Sequence, residues 1–359
     1  LQFYLFFPLH IFFLLNSNLF PQFGGIFYGT AFQLIFFAFN LVFVFLQDKD
    51  HKQFIILSIF IAYLLLILGF NYFFDDLPET ISYAYLGFII SIFNHFWIGY
   101  YAFTNIKKLD KDISTSFIFI NIFILFWMIQ GGFNLNILFG QSLVSYLLIS
   151  ELYLLIAGLF ICLRKDSNLL FFILPFSLVI QFILYSRSAI VGFLIMTAFV
   201  IIISKIRFRL ILLSAFLVIL ASTYIDYLQI SSFERQLALF SNIMQNSSVI
   251  ARLEIFEKFP EVFLSNPVAG DLGWHLDYYG KDGYYIHSYL SYLTSFGLFS
   301  LFFLIYFFSE SIKNLFRDHN YSLLPIFFAF IVIVLIAKAW MYTSIWFLVG
   351  LLLANLKRE

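Results

Sequence analysis

The stretch QISSFERQLALFSNIMQNSSVIARLEIFEKFPEVFLSNPVAGDLGWHLDYYGKDGYYIHSYL, Gln229 to Leu290, is the one long polar interlude in a chain that is otherwise almost continuously apolar. Between Gln229 and His287 it holds seven of the twenty acidic residues, four of the twenty basic residues and two of the six histidines. A membrane protein that keeps one large loop on one side usually places its chemistry in that loop or beside it, because polar side chains are solvated there.

Outward from this loop the chain reads as membrane spans. It is 62% hydrophobic and 11% charged, with a mean hydropathy of +0.96, whereas soluble domains carry about 25% charged residues. The apolar runs are continuous rather than alternating, so they specify helices and not the strands of a barrel. The expected fold class is an all-α polytopic membrane protein with about twelve transmembrane helices. It forms a single integral membrane domain over 1–359, with an external loop at 229–285. The 54 Phe and 22 Tyr serve as lipid-facing and packing mass and as interfacial anchors. A net charge of zero gives no footprint for nucleic acid. The lone Cys162 excludes an intramolecular disulfide and any multi-thiolate metal site. No P-loop, Rossmann glycine signature or zinc-protease motif is present, and the first span lacks the basic start and small-residue cleavage site of a signal peptide.

Apolar windows of ~20 residues fall near 1–20, 24–46, 54–74, 81–103, 113–130, 142–163, 168–185, 187–204, 210–228, 286–308, 321–337 and 340–356. Alternate linkers carry Lys49 and Lys52, Lys107, Lys108 and Lys111, Arg164 and Lys165, Lys205, Arg207 and Arg209, Lys313 and Arg317, and finally Lys357 and Arg358. The opposite linkers PQFGG, DDLPET and GGFNLNILFGQSL carry none. The positive-inside rule then predicts cytoplasmic termini and an external loop.

Six basic residues remain outside that pattern: Arg187, Arg235, Arg252, Lys258, Lys281 and Lys338. Arg187 sits in LYSRSAIVGFL at the outer mouth of a span. It either snorkels to the interface or adds its charge to the positive end of the helix to make a phosphate site. Arg252 lies in SSVIARLEIFEKFPEV, a short helix that Ser247 or Ser248 can cap and that Pro260 disturbs. Val249, Leu253, Phe256 and Phe259 make one apolar stripe with Arg252 within it, which predicts a helix lying on the membrane surface. The guanidinium then needs an anion, either a carboxylate such as Glu257 or Asp226 or a ligand phosphate. His287, in YYIHSYLSYLTSFGLF, is either an interfacial hydrogen bonder or a general base for a sugar hydroxyl. Lys338 is a third phosphate contact or a snorkelling residue, and Arg235 is solvated. The spacing of Asp271, His275 and Asp277 matches no standard metal site. Glu151 is an intramembrane acid whose partner the sequence does not name.

Three features occur in order on the same face. Ser186, Arg187, Ala189 and Gly192 open a span. Arg252, Phe256, Phe263, Ser265–Val268, Gly270 and Trp274 follow in the loop. His287, Ser288 and Leu290 enter the next span, with Gly297 ten residues beyond the histidine. In this combination the chain resembles the bacterial O-antigen polymerase and O-antigen ligase superfamily, polytopic glycosyltransferases of the GT-C type. The residue-level likeness covers about 185–300, with Ser288 where that family usually has Asn and Ala189 where it often has Gly. The resemblance implies transfer of a growing glycan from undecaprenyl diphosphate at the outer face of the bacterial cytoplasmic membrane. Arg187 and Arg252 are then diphosphate contacts and His287 activates the acceptor hydroxyl, without metal or cofactor. The implied partners are the undecaprenyl-diphosphate-linked oligosaccharide as donor and acceptor, the lipid bilayer and a polysaccharide chain-length regulator. A ligase or protein O-oligosaccharyltransferase shares these motifs. A lipid-linked-glycan flippase or other transporter is the alternative from a different class.

Overall fold

An apolar segment in lipid must satisfy its backbone polar groups internally, which leaves the helix as the form open to a single run of residues. The computed structural model of this chain follows that rule. It describes residues 25–44, 52–74, 77–101, 106–130, 143–184, 186–206, 247–280, 288–317, 321–336 and 343–354, with residues 3, 6, 7, 11, 103, 209 and 211 also placed. Among the described residues every regular element is helical. Every predicted window except the first and the ninth coincides with a described helix. Of the ninth, 210–228, little more than Ile211 lies within the described residues.

The elements are α1 (Gly25–Val44), α2 (Lys52–Phe74), α3 (Glu79–Tyr101), α4 (Ile106–Gln130), α5 (Leu143–Leu163), α6 (Leu170–Ile183), α7 (Arg187–Ile203), α8 (Ser247–Glu257), α9 (Phe259–Ser265), α10 (Trp274–Tyr279), α11 (Leu290–Arg317), α12 (Leu324–Ile336) and α13 (Ser344–Leu353). Among the described residues four segments are long and apolar enough to cross a membrane: Lys52–Phe74, Ile81–Tyr101, Ile106–Ile129 and Leu290–Arg317. The protein is thus a helical protein of membrane-embedded character.

α3 is the hub, packed against α1, α2 and α13. Its crossing with α13 brings Gly99 against the Phe347 carbonyl and Gly350 against the Phe96 carbonyl, the small-residue contact that lets helices approach closely. Amide side chains join α1 to α3 directly. Asn40 Nδ2 donates to Asn94 Oδ1 at 2.9 Å, and Asn94 Nδ2 donates to Gln33 Oε1 at 2.8 Å. A second group gathers on α5, which packs against α4, α6, α7 and α12. There the Tyr153 hydroxyl donates to Asn121 Oδ1 at 3.1 Å.

Two helices depart from the sequence reading. The tenth window was read as an unbroken span over 286–308, but α11 breaks at Gly297, where φ is 70° and ψ is −176°. The twelfth was read as a span over 340–356, but the described helix is only Ser344–Leu353, with its N-terminus at buried Thr343 and Ser344. The first departure traces to a tertiary contact that hydropathy does not register.

The contact at Gly297 explains the first. Residues 266–273 of the polar loop run antiparallel to residues 294–298 of α11. The Leu298 N–H donates to the Pro267 carbonyl at 2.9 Å and the Asp271 N–H donates to the Thr294 carbonyl at 2.7 Å. In that register Gly297 faces Val268 and Gly270, with φ 70°, faces Ser295. A Cβ on Gly270 would stand 2.5 Å from the Ser295 carbonyl carbon, and one on Gly297 would overlap the Val268 carbonyl. Both residues also need a positive φ that only glycine adopts without strain. The two glycines therefore permit a loop segment to lie against a broken helix inside the bundle.

Candidate functional site

Arg187 is the first residue of α7. Ser186 is the N-cap, its Oγ accepting the Ala189 N–H at 3.5 Å. The guanidinium side chain is half-buried. A cation in the first turn adds to the partial positive charge of the unsatisfied N–H groups there, so this turn suits an anion. The neighbouring α6 is held to α5 just below. Ser150 Oγ donates to the Leu184 carbonyl at 2.8 Å and Gln181 Nε2 donates to the Ser150 carbonyl at 3.1 Å.

Arg252 lies on α8, which ends at Glu257 and hands over to α9 with Pro260 in its first turn, as the sequence predicts. Of the expected apolar stripe, Leu253 and Phe256 are exposed, at 52% and 51%, as residues facing a membrane surface would be, while Ile255 and Val262 are the buried residues of the two short helices. Arg252 is exposed, and among the described residues it forms no ion pair with Glu254 or Glu257. The packing against α11 comes from α9.

Lys258 is taken up locally. Its Nζ reaches Glu261 Oε2 at 3.0 Å and sits 5.4 Å from the centroid of the Tyr278 ring, while the Tyr278 hydroxyl donates to Glu261 Oε1 at 2.6 Å. The two hydrogen bonds, from Tyr278 and then from Lys258, lower the Glu261 pKa. The same contacts with Glu261 raise those of Lys258 and Tyr278. This small cluster ties α10 to α9 and reads as structural. His275 is buried, Asp277 is exposed and Asp271 Oδ1 accepts the Gly273 N–H at 2.8 Å.

Arg187 and Arg252 thus stand on α7 and α8. No hydrogen bond or ion pair joins the two among the described residues. His287 and Lys338, and with them Arg235 and Lys281, lie outside the described residues. The chain reaches the His287 position through Ser288, which is buried and has a φ of 133°. Few non-glycine residues tolerate that value. Three hydrogen bonds hold it there. Ser288 Oγ accepts the Leu290 N–H at 3.3 Å, and the Ser288 carbonyl accepts the Ser291 N–H at 3.0 Å and Ser291 Oγ–H at 2.7 Å.

Glu151 finds the partner that the sequence left unnamed. Its Oε1 accepts the Ser344 N–H at 2.8 Å, so a carboxylate from α5 satisfies the first turn of α13. Both residues are buried. A carboxylate at a helix N-terminus is favourable because it meets orphan donors and the positive end of the dipole together. Beside it, Ser91 Oγ donates to Thr343 Oγ1 at 3.0 Å, and His95 Nδ1 lies 2.8 Å from the Ser91 carbonyl. Two further residues escaped the sequence reading, Tyr63 and Asn71 on α2. Both bond the backbone of the loop segment. Asn71 was the visible signal, an amide inside an apolar window.

No protein-family model matches this chain, and no curated protein or solved structure matches it.

Proposed function

We propose that this chain is a bacterial surface-polysaccharide polymerase of the GT-C type, spanning the cytoplasmic membrane about twelve times with both termini inside. It transfers a growing glycan from undecaprenyl diphosphate to a sugar hydroxyl of a lipid-linked repeat unit at the outer face. The observation that carries this reading is Arg187 as the first residue of α7, half-buried beside a capped helix N-terminus. That is a place suited to a diphosphate oxygen.

The chemistry balances without further reactants. The acceptor oxygen bonds to the anomeric carbon, the bond from that carbon to the diphosphate oxygen breaks, and undecaprenyl diphosphate leaves with the electron pair. Arg187 and Arg252 offset the charge gathering on the leaving group, and His287 takes the hydroxyl proton. Lys338 would add a further contact to the diphosphate. Arg252 supports the reading as an exposed cation with no ion pair among the described residues. A ligase or protein O-oligosaccharyltransferase would use the same donor machinery with a different acceptor.

A second class of function has its own support. A broken α11 and a short α13 that begins at buried residues resemble the discontinuous helices of transporters, whose half-helix termini meet substrates or ions. Deletion of the gene followed by gel analysis of surface polysaccharide separates these readings. Lipid core bearing a single repeat unit indicates a polymerase, bare core with accumulated lipid-linked polymer a ligase, and loss of external repeat units a flippase. Complementation with Arg187→Ala, Arg252→Ala or His287→Ala should yield expressed protein and no polymer. Wild-type polymer from all three would remove the site assignment.

A further inference from the structure

The segment that the loop lays along α11 makes a second set of contacts, with α2, a helix that carries none of the residues assigned to the reaction. The Tyr63 hydroxyl lies 3.0 Å from the Val268 carbonyl and also within hydrogen-bonding reach of the Phe296 carbonyl. It therefore donates to one chain or the other across the break. Two turns further along α2, Asn71 Oδ1 accepts the Leu272 N–H at 2.9 Å, while Asn71 Nδ2 donates to the Ile67 carbonyl at 2.9 Å. The second bond fixes which amide atom faces the loop. From α3, the Tyr85 hydroxyl donates to the Leu272 carbonyl at 3.3 Å. Leu272 itself is fully buried.

These contacts differ in kind from ordinary packing. A helix interrupted in an apolar bundle leaves carbonyls without intrahelical donors, and a loop brought into that bundle carries N–H groups that water no longer reaches. Here each supplies the other, and α2 supplies what is left. Ser300 Oγ closes the break from within, donating to the Tyr292 carbonyl at 3.0 Å or the Gly297 carbonyl at 2.7 Å. Tyr63, near the middle of α2, meets Val268, and Asn71, near its end, meets Leu272. The segment consequently runs along roughly half the length of that helix rather than resting on its end.

We infer that Tyr63 and Asn71 are positioning residues that hold residues 267–272 against the α11 break, making this part of the loop a fixed wall and not a mobile lid. The claim about the wall stands on geometry alone. Its effect on catalysis rests on the polymerase reading proposed above. Removing the Asn71 acceptor strands a buried N–H, whereas the Val268 carbonyl that Tyr63 meets is exposed and can turn to water. The Asn71 change should therefore be the larger.

The test uses the full chain in membranes, with Leu272→Cys as a reporter and Cys162, which is buried, as a silent background. A water-soluble maleimide should label Leu272→Cys slowly in the otherwise wild-type chain. Asn71→Leu should raise the labelling rate about tenfold and Tyr63→Phe severalfold, the size expected for loss of one buried hydrogen bond. Asn71→Asp, which keeps an accepting oxygen, should restore slow labelling. In polymer synthesis from a lipid-linked repeat, with the Leu272 side chain intact, Asn71→Leu should lower kcat while leaving KM for the donor unchanged, and Asn71→Asp should recover kcat. Unchanged labelling in both Asn71→Leu and Tyr63→Phe overturns the wall. Faster labelling with wild-type kcat overturns the positioning role. If the wild-type chain makes no polymer, the functional reading fails, while the labelling result still decides the wall.

Discussion

The two halves of the polar loop solve the same problem in opposite ways. From Asn266 to Leu272 the chain lies along α11 and descends from exposed Pro267 and Val268 to buried Leu272, and α11, α2 and α3 meet backbone groups of Pro267, Val268, Asp271 and Leu272. From Ser247 to Glu257 it forms a regular helix that satisfies itself and leaves Arg252, Leu253 and Phe256 exposed. An irregular segment can stay in an apolar setting only when specific partners take up its polar groups, so its position becomes over-determined. A helix needs no such partners and can remain at the surface with its side chains free for a ligand. Position is thus encoded in the first half, and availability in the second.

The contrast breaks most completely at Gly297. Gly297→Ala would place a Cβ against the Val268 carbonyl at a φ of 70°, combining steric overlap with a left-handed backbone that costs about 1–2 kcal/mol by itself. The expected result is loss of folded protein, read as disappearance of the monodisperse peak in detergent size-exclusion chromatography. Alanine at Leu253, exposed on α8, should leave that peak in place. Comparable loss from both substitutions would mean that the two halves are equally constrained.

Glu151 extends the same reasoning to another buried backbone end. Glu151→Leu strands the Ser344 N–H at the start of α13 and should cost about 2 kcal/mol, the usual penalty for a buried donor left unmet. Glu151→Gln keeps an accepting oxygen and should recover most of that loss. Thermal unfolding of the purified protein checks both. Equal Tm values for the two variants would show that the hydrogen bond contributes nothing.

The helices were legible in the sequence because hydropathy over a window of ~20 residues reports the environment of a whole segment. Most windows matched, and Pro260 marked the boundary between α8 and α9. The break in α11 was not legible, since the window around Gly297 stays apolar overall and a single glycine is tolerated inside a helix. Its cause lies in Pro267–Asp271, which meets α11 only once the chain has folded. Arg187 begins α7 where the apolar window 187–204 starts, and Ser186 supplies the cap there. Tyr63 was one tyrosine among 22, and nothing in its local sequence marks it as a clamp.

Ser288 offers a smaller change of opposite sign. Its φ of 133° is a strained value for any residue with a Cβ. Ser288→Gly should therefore stabilise the protein by about 1 kcal/mol, less the loss of its Oγ contact to the Leu290 N–H. A higher Tm together with lower polymer synthesis would show strain retained for activity. A lower Tm would show that the capping bond outweighs the strain.

The smallest expected effect lies at the seam between the two halves, where Lys258, Glu261 and Tyr278 join α9 to α10 at the surface. Exposed ion pairs contribute little, since water and salt screen them, so Tyr278→Phe should barely move the Tm at neutral pH. The sign of the pH dependence is nevertheless fixed. Glu261 has a folded pKa below its ordinary 4.5, so its contribution is present above that value and is lost as pH falls through the lowered one. Lys258 and Tyr278 have folded pKa values above 10.5 and 10.0, so their contributions hold below those values and are lost as pH rises through the raised ones. The difference in Tm between wild type and Tyr278→Phe should accordingly stay flat from about pH 5 to about pH 9 and shrink below pH 4.5 as Glu261 protonates. A difference that grows on acidification would mean that Tyr278 is held by something other than this carboxylate, and the seam would then belong with the buried half of the loop and not with the exposed one.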